Sequence, residues 1–170
     1  IDRELGYARK LGLNCVRVFL QSLVYHHDPE TFLHNFEDFL ATADKHGLKA
    51  MPILFDSCFG VSPSLESRGI WVANPGPDRM DNKWWPESDA YAKAVVSAHI
   101  GDKRIALWDV MNEPTATHLA QTPEGKELID HFVARYCALV RELDPTHAIT
   151  VGVAKWDNQD VIDLVDVLSC

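Results

Sequence analysis

Hydrophobic positions along the chain alternate between a helical period and short continuous runs. Between residues 2 and 11, Leu5, Ala8 and Leu11 recur on one helical face, and Gly12 ends the pattern. Cys15-Val-Arg-Val-Phe-Leu20 then reads as a strand. Asp28-Pro29 opens the next helix, with Asp28 as N-cap and Pro29 in the first turn. Its apolar stripe is Phe32, Leu33, Phe36, Phe39, Leu40 and Ala43; Gly47 closes it, and the run 50–55 is the next strand. Lys10-Leu-Gly-Leu13 and Lys45-His-Gly-Leu48 match in role 35 residues apart, the period of a β/α unit. The alternation continues as a helix over 88–100, a strand over 105–111, a helix over 122–143, a strand over 148–153, a short helix over 158–164 and a strand over 167–169. Near-continuous apolar strands suit a parallel sheet covered by helices.

Five strands alternating with helices fit two architectures. One is a doubly wound domain, but no glycine-rich phosphate loop follows the first strand. The other is a partial (β/α)₈ TIM barrel, which when complete needs about 250 residues. The 170 residues are too few for two ordinary domains and short of one barrel. The pattern begins inside a helix and stops after a strand, so it reads as an incomplete barrel domain over 1–170.

Composition changes this picture little and charge more. Hydrophobic residues make up 46% and charged residues 24%, which is globular rather than disordered. No apolar run approaches about 18 residues, so no membrane association is expected, and no basic segment followed by an apolar one opens the chain. The net charge of −9 opposes nucleic acid as a partner. Cys15, Cys58, Cys137 and Cys170 are scattered without a C-x-x-C pair, so neither zinc nor a disulfide framework is expected. His26-His27 lacks a third ligand at suitable spacing. No metal and no cofactor are expected.

In parallel β/α folds the working residues lie where strands run into loops. These ends offer Arg17 to Gln21, Asp56-Ser57-Cys58, Asn112-Glu113-Pro114 and Ala154-Lys155-Trp156. The third group places an amide and a carboxylate side by side at the rim of a buried strand, where partial desolvation poises a carboxyl group for proton transfer. Capping or ion pairing by Glu113 is the bland alternative. Asp56 ends its strand, where a ligand contact, a helix cap or a salt bridge is equally open. The long segment over 57–87 carries Trp71, Trp84 and Trp85, whose indole faces offer flat apolar area with a polar handle or pin the loop to the body. Trp156, just past a strand end, is a better placed platform. Asp109 inside an apolar strand is unusual; it could pair with Arg17, another basic group or a backbone amide.

Trp108-Asp-Val-Met-Asn-Glu-Pro114 resembles the Asn-Glu-Pro signature that ends the fourth strand of clan A retaining glycoside hydrolases, the cellulase-like family 5 and family 2 barrels. Gly12-Leu-Asn-Cys-Val-Arg-Val18 resembles their second-strand motif, and the order and spacing of the two motifs agree. The resemblance covers nearly the whole chain, from the helix before strand two to strand six; strands one, seven and eight would be absent. It implies a glycosidase acting by double displacement on a β-linked oligo- or polysaccharide, with carbohydrate as the partner. Glu113 would be the general acid/base, Asn112 would bond the sugar 2-hydroxyl, and Arg17 would lie beneath the site. Trp156, Asp56 and Trp71 would be substrate contacts. Family members often carry a histidine near Asp56-Ser57-Cys58, and this chain does not. The nucleophile would be a glutamate ending strand seven, outside these residues, so the chain alone is expected to be inactive. A non-catalytic β/α module binding a sugar or small ligand is the alternative reading. Lysine-based carbonyl chemistry would need Lys155 or Lys49 in the pocket.

Overall fold

The computed structural model describes residues 1–58, 63–66, 73–154 and 161–169. Among the described residues five helices and five strands follow one another in the order α1 Asp2–Lys10, β1 Cys15–Phe19, α2 Ser22–His27, α3 Pro29–Lys45, β2 Lys49–Asp56, α4 Trp85–Ser97, β3 Trp108–Asn112, α5 Pro123–Leu143, β4 Ile149–Gly152 and β5 Val167–Ser169. Short 3₁₀ turns lie at Pro77–Arg79 and His118–Gln121.

All five strands are parallel and each pairs with its sequence neighbour, in the order β1-β2-β3-β4-β5. That order separates the two architectures left open by the strand count. A doubly wound sheet reverses its strand order at a switch point so that helices cover both faces. Here the order never reverses, and right-handed crossovers then put every helix on one side, as around a barrel.

On that side Leu40, Leu54, Tyr91, Trp108, Val110, Phe132, Tyr136 and Val140 are fully buried in one core. Phe55 stacks edge-on against Tyr91 and Phe132 at centroid distances of 5.7 and 5.0 Å. A satellite cluster of Leu5, Ala43 and Leu48 seats α1 on α3. β3 and β4 are buried along their whole length, while β1 and β5 at the outer positions are partly exposed.

The expected elements appear with local differences. The Asp28 side chain accepts from Thr31 N at 3.1 Å and caps α3 as its sequence suggests. Gly12 and Gly47 adopt φ of 87° and 67°, the left-handed turns that stop the preceding helices. Helix α2 was not legible; its six residues are too few for a clear period, and Gln21 caps it by accepting from Leu23 N. α4 begins at Trp85 rather than 88, because Pro86 fits a first turn. The third strand is 108–112, not 105–111: Ile105 makes only an isolated bridge to Ala50, and pairing extends to Asn112. Of the short helix expected over 158–164, residues 161–164 form a turn and the rest lie outside the described residues.

Candidate active site

The C-terminal ends of β1, β2 and β3 bring a connected polar network to one rim. Arg17 reaches from β1 to β3, where its Nε and Nη2 donate to Asp109 Oδ2 at 2.9 and 2.5 Å. Its Nη2 also donates to Asn112 Oδ1 at 2.8 Å. Asp109 and Asn112 are three residues apart, and in a regular strand they would point to opposite faces. The β3–β4 register slips by one residue between them, Asp109 lying beside Thr150 but Asn112 beside Gly152. That irregularity turns both side chains to the same face, a known use of bulges.

Gly152 makes room for the network. A Cβ there would stand 2.5 Å from Arg17 Nη2, so the guanidinium would have to shift from its bonds to Asp109 and Asn112. The Gly152 amide donates to Asp109 Oδ1 at 3.3 Å. Asp109 is fully buried. Burial pushes its carboxyl up to about 6, against the opposing pull of the Arg17 guanidinium. The open choice of partner for Asp109 therefore resolves to Arg17 together with a backbone amide.

Asn112 Nδ2 donates in turn to Asp56 Oδ1 at 3.2 Å, across the β2–β3 pairing that sets these two residues side by side. Asp56 is 3% exposed, and its Oδ1 also accepts from Cys58 N at 2.9 Å. The Cys58 thiol donates to Glu113 Oε2 at 2.8 Å. Burial pushes that thiol up to about 12, with the Glu113 carboxylate adding to the effect. Glu113 itself is half-buried and takes a φ of 43°, uncommon for a residue with a Cβ and costing about 1 kcal/mol or more. Its amide donates to Gly152 O at 2.6 Å, which locks the turn that carries the carboxylate off the strand. A half-buried carboxyl group on a fixed turn, beside a buried amide, can deliver and accept a proton.

The model of the cellulase family, glycosyl hydrolase family 5, matches residues 6–164. The chain belongs to glycosyl hydrolase family 5. This family 5 chain is 26% identical over 127 residues to mannan endo-1,4-β-mannosidase F of Aspergillus clavatus, a match covering 71% of the chain and 26% of the relative. Among solved structures it resembles the exo-β-1,4-mannosidase of Opitutaceae bacterium strain TAV5, with a TM-score of 0.67, 21% identity, and coverage of 89% of this chain and 27% of that one. It also resembles the β-mannanase of the blue mussel Mytilus edulis, with a TM-score of 0.60, 19% identity, and coverage of 89% and 50%. At these identities the structural matches speak for the fold, an arc of the (β/α)₈ barrel. The chain spans about a quarter of the length of the Aspergillus relatives it matches.

Within this family 5 rim, Glu113, Asn112, Arg17 and Asp56 come together as one network, whereas Trp71 and Trp156 lie outside the described residues, as does Lys155. Lys49 opens β2, at the strand end opposite the rim. Trp85 fastens the loop to the body: its Nε1 donates to Met80 O at 3.1 Å and Arg135 stacks 4.5 Å above its ring. Trp84 is covered by Arg79 at 4.9 Å.

Three residues of the site escaped the motif reading. The sequence places Cys58 at a strand end in a loop but gives it no role there, and it reads Gly152 only as part of a strand. Asn74 sits inside the long loop, where its Nδ2 donates to Leu20 O and Leu54 O at 2.9 and 2.6 Å and its Oδ1 accepts from Ser22 N at 3.1 Å. It thus ties the ends of β1 and β2 to the start of α2. Asn74-Pro75 signals a turn in sequence but not this buried role.

A second charged cluster, Glu37, His99 and Asp102, has metal-like ligand spacing. The Arg104 guanidinium already fills the cation's place. It donates to Glu37 Oε1 and Oε2 at 2.5 and 2.8 Å and to Asp102 Oδ2 at 2.6 Å. The cluster therefore reads as an ion-pair clamp between α3 and the α4–β3 connection.

Proposed function

We propose that this chain carries the acid/base half of a retaining glycosidase that cleaves a β-linked oligo- or polysaccharide, with β-mannan the substrate class suggested by its relatives. The observation that supports this most is the placement of Glu113: a half-buried carboxylate on a locked turn at a strand's C-terminal end, with Asn112 beside it. In this reading Glu113 protonates the glycosidic oxygen as the bond breaks, then takes a proton from the water that releases the glycosyl-enzyme intermediate. Asn112 has one Nδ2 hydrogen committed to Asp56, and the other is available for the sugar 2-hydroxyl. Arg17 holds the Asn112 carbonyl and fixes which way the amide faces. The nucleophile is a glutamate outside these residues, about 5–5.5 Å from Glu113 in the assembled site.

The test is steady-state kinetics of the full-length gene product on β-1,4-mannan, β-1,4-glucan and aryl β-glycosides. Glu113→Gln should lower kcat/KM about 10²- to 10⁴-fold on aryl glycosides with poor leaving groups. A fluoro-sugar that traps the intermediate should label a glutamate outside positions 1–170. Unchanged activity in Glu113→Gln, or a trapped residue within this chain, would refute the assignment.

A further inference from the structure

The Cys58 thiol is buried, with Cys58 2% exposed, and sits 2.8 Å from Glu113 Oε2. Its own backbone is fixed, since Cys58 N donates to Asp56 Oδ1, and Asp56 is bound to Asn112. We propose that Cys58 is a positioning residue for Glu113, its S–H occupying Oε2 so that Oε1 is the oxygen that hands over and receives the catalytic proton. The inference rests on the acid/base reading of Glu113.

Three physical arguments converge on it. First, φ of 43° fixes the Glu113 backbone but leaves the side-chain torsions free, so something must hold the carboxyl. Cys58 is the side chain shown doing this. Second, the thiol stays protonated at any working pH, because burial and the adjacent carboxylate both disfavour the thiolate. It is therefore a donor that never titrates away. Third, the donor is neutral and weak. A histidinium in its place would favour the ionised carboxylate and work against the protonated form that the first step requires. A thiol can bond Oε2 whether Glu113 is ionised or carries its proton on Oε1.

The experiment compares Cys58→Ala and Cys58→Ser in the full-length protein, using aryl β-glycosides with a poor (methoxyphenyl) and a good (dinitrophenyl) leaving group. Only the poor leaving group needs a well-placed acid. Cys58→Ala should lower kcat/KM on the methoxyphenyl substrate by about tenfold or more, and at least about five times more than on the dinitrophenyl substrate. Cys58→Ser keeps a neutral donor and should recover most of that loss. Equal losses on both substrates, no loss, or no recovery with serine would overturn the proposal, since a packing defect would not depend on the leaving group. Glu113→Gln run in parallel separates the two failures. If it keeps full activity on the methoxyphenyl substrate, the acid/base reading falls and takes this inference with it; if it loses activity while Cys58→Ala does not, only the inference falls. Should Cys58→Ala fail to fold, infrared spectroscopy decides. The S–H stretch of Cys58, assigned by difference against Cys58→Ser, should lie below the free-thiol frequency and rise in Glu113→Ala. A band already at the free-thiol frequency would count against the bond.

Discussion

Single residues in this chain show how the same side chain is put to opposite uses by its surroundings. Asp109 and Asp144 are both fully buried, Asp109 within β3 and Asp144 against Trp108, the first residue of the same strand. Burial dominates at Asp109 and raises its carboxyl to about 6. At Asp144 burial also disfavours the charge, but bonds from Thr146, Trp108 and His147 outweigh it and hold the carboxyl well below the usual range. The signs for stability follow from linkage. For Asp109 the folded state binds more protons than the unfolded chain between about pH 4 and 6, so stability falls as pH rises through that window. For Asp144 the folded state binds fewer, so its contribution is full above the unfolded carboxylate range and is lost as pH falls below about 4. Urea melts should therefore show Asp109→Asn gaining on the wild type by on the order of 2 kcal/mol between pH 4 and 7. Asp144→Asn should lose most at neutral pH and converge on the wild type in acid. A pH-independent difference in either variant would contradict the assignment.

At the scale of elements, the helices and the middle strands were legible because their residues repeat a period. The Thr122 cap, Pro123 and the apolar stripe of α5 all agree with one another, and the helix runs from Pro123 to Leu143 as read. What escaped was set by contact rather than period. The register slip in β3, the reach of β3 to Asn112 and the short α2 each depend on neighbouring strands and loops. Gly125 makes the same point inside a well-read helix. Intrinsic propensity favours alanine over glycine in a helix by about 1 kcal/mol. Yet a Cβ at Gly125 would fall 2.1 Å from Leu119 O, a backbone atom of the preceding 3₁₀ turn. Gly125→Ala is therefore expected to lower the melting temperature, against its propensity, by displacing His118–Gln121 from the start of α5. A raised Tm would show that the turn gives way freely.

For the whole molecule, the strand order made the decisive difference: the same five strands admit two architectures, and only sequential pairing gives a barrel arc. Among the described residues β1 pairs only with β2, and β5 only with β4. These two strands also carry the exposed apolar residues Phe19, Val167 and Leu168. The 170-residue chain in isolation is therefore expected to associate, and sedimentation velocity should show a mass rising with concentration; a monodisperse monomer would argue otherwise. The sequence by itself determined the β/α repeat, the strand-end position of Glu113 and Asn112, and the likeness to family 5, because period and motif are local properties. Only the tertiary structure decided that Asp109 faces Arg17, that the Gly152 amide meets Asp109, and that Cys58 touches Glu113. Those pairings join residues 92, 43 and 55 positions apart, and what brings them together is strand register, which no local pattern encodes.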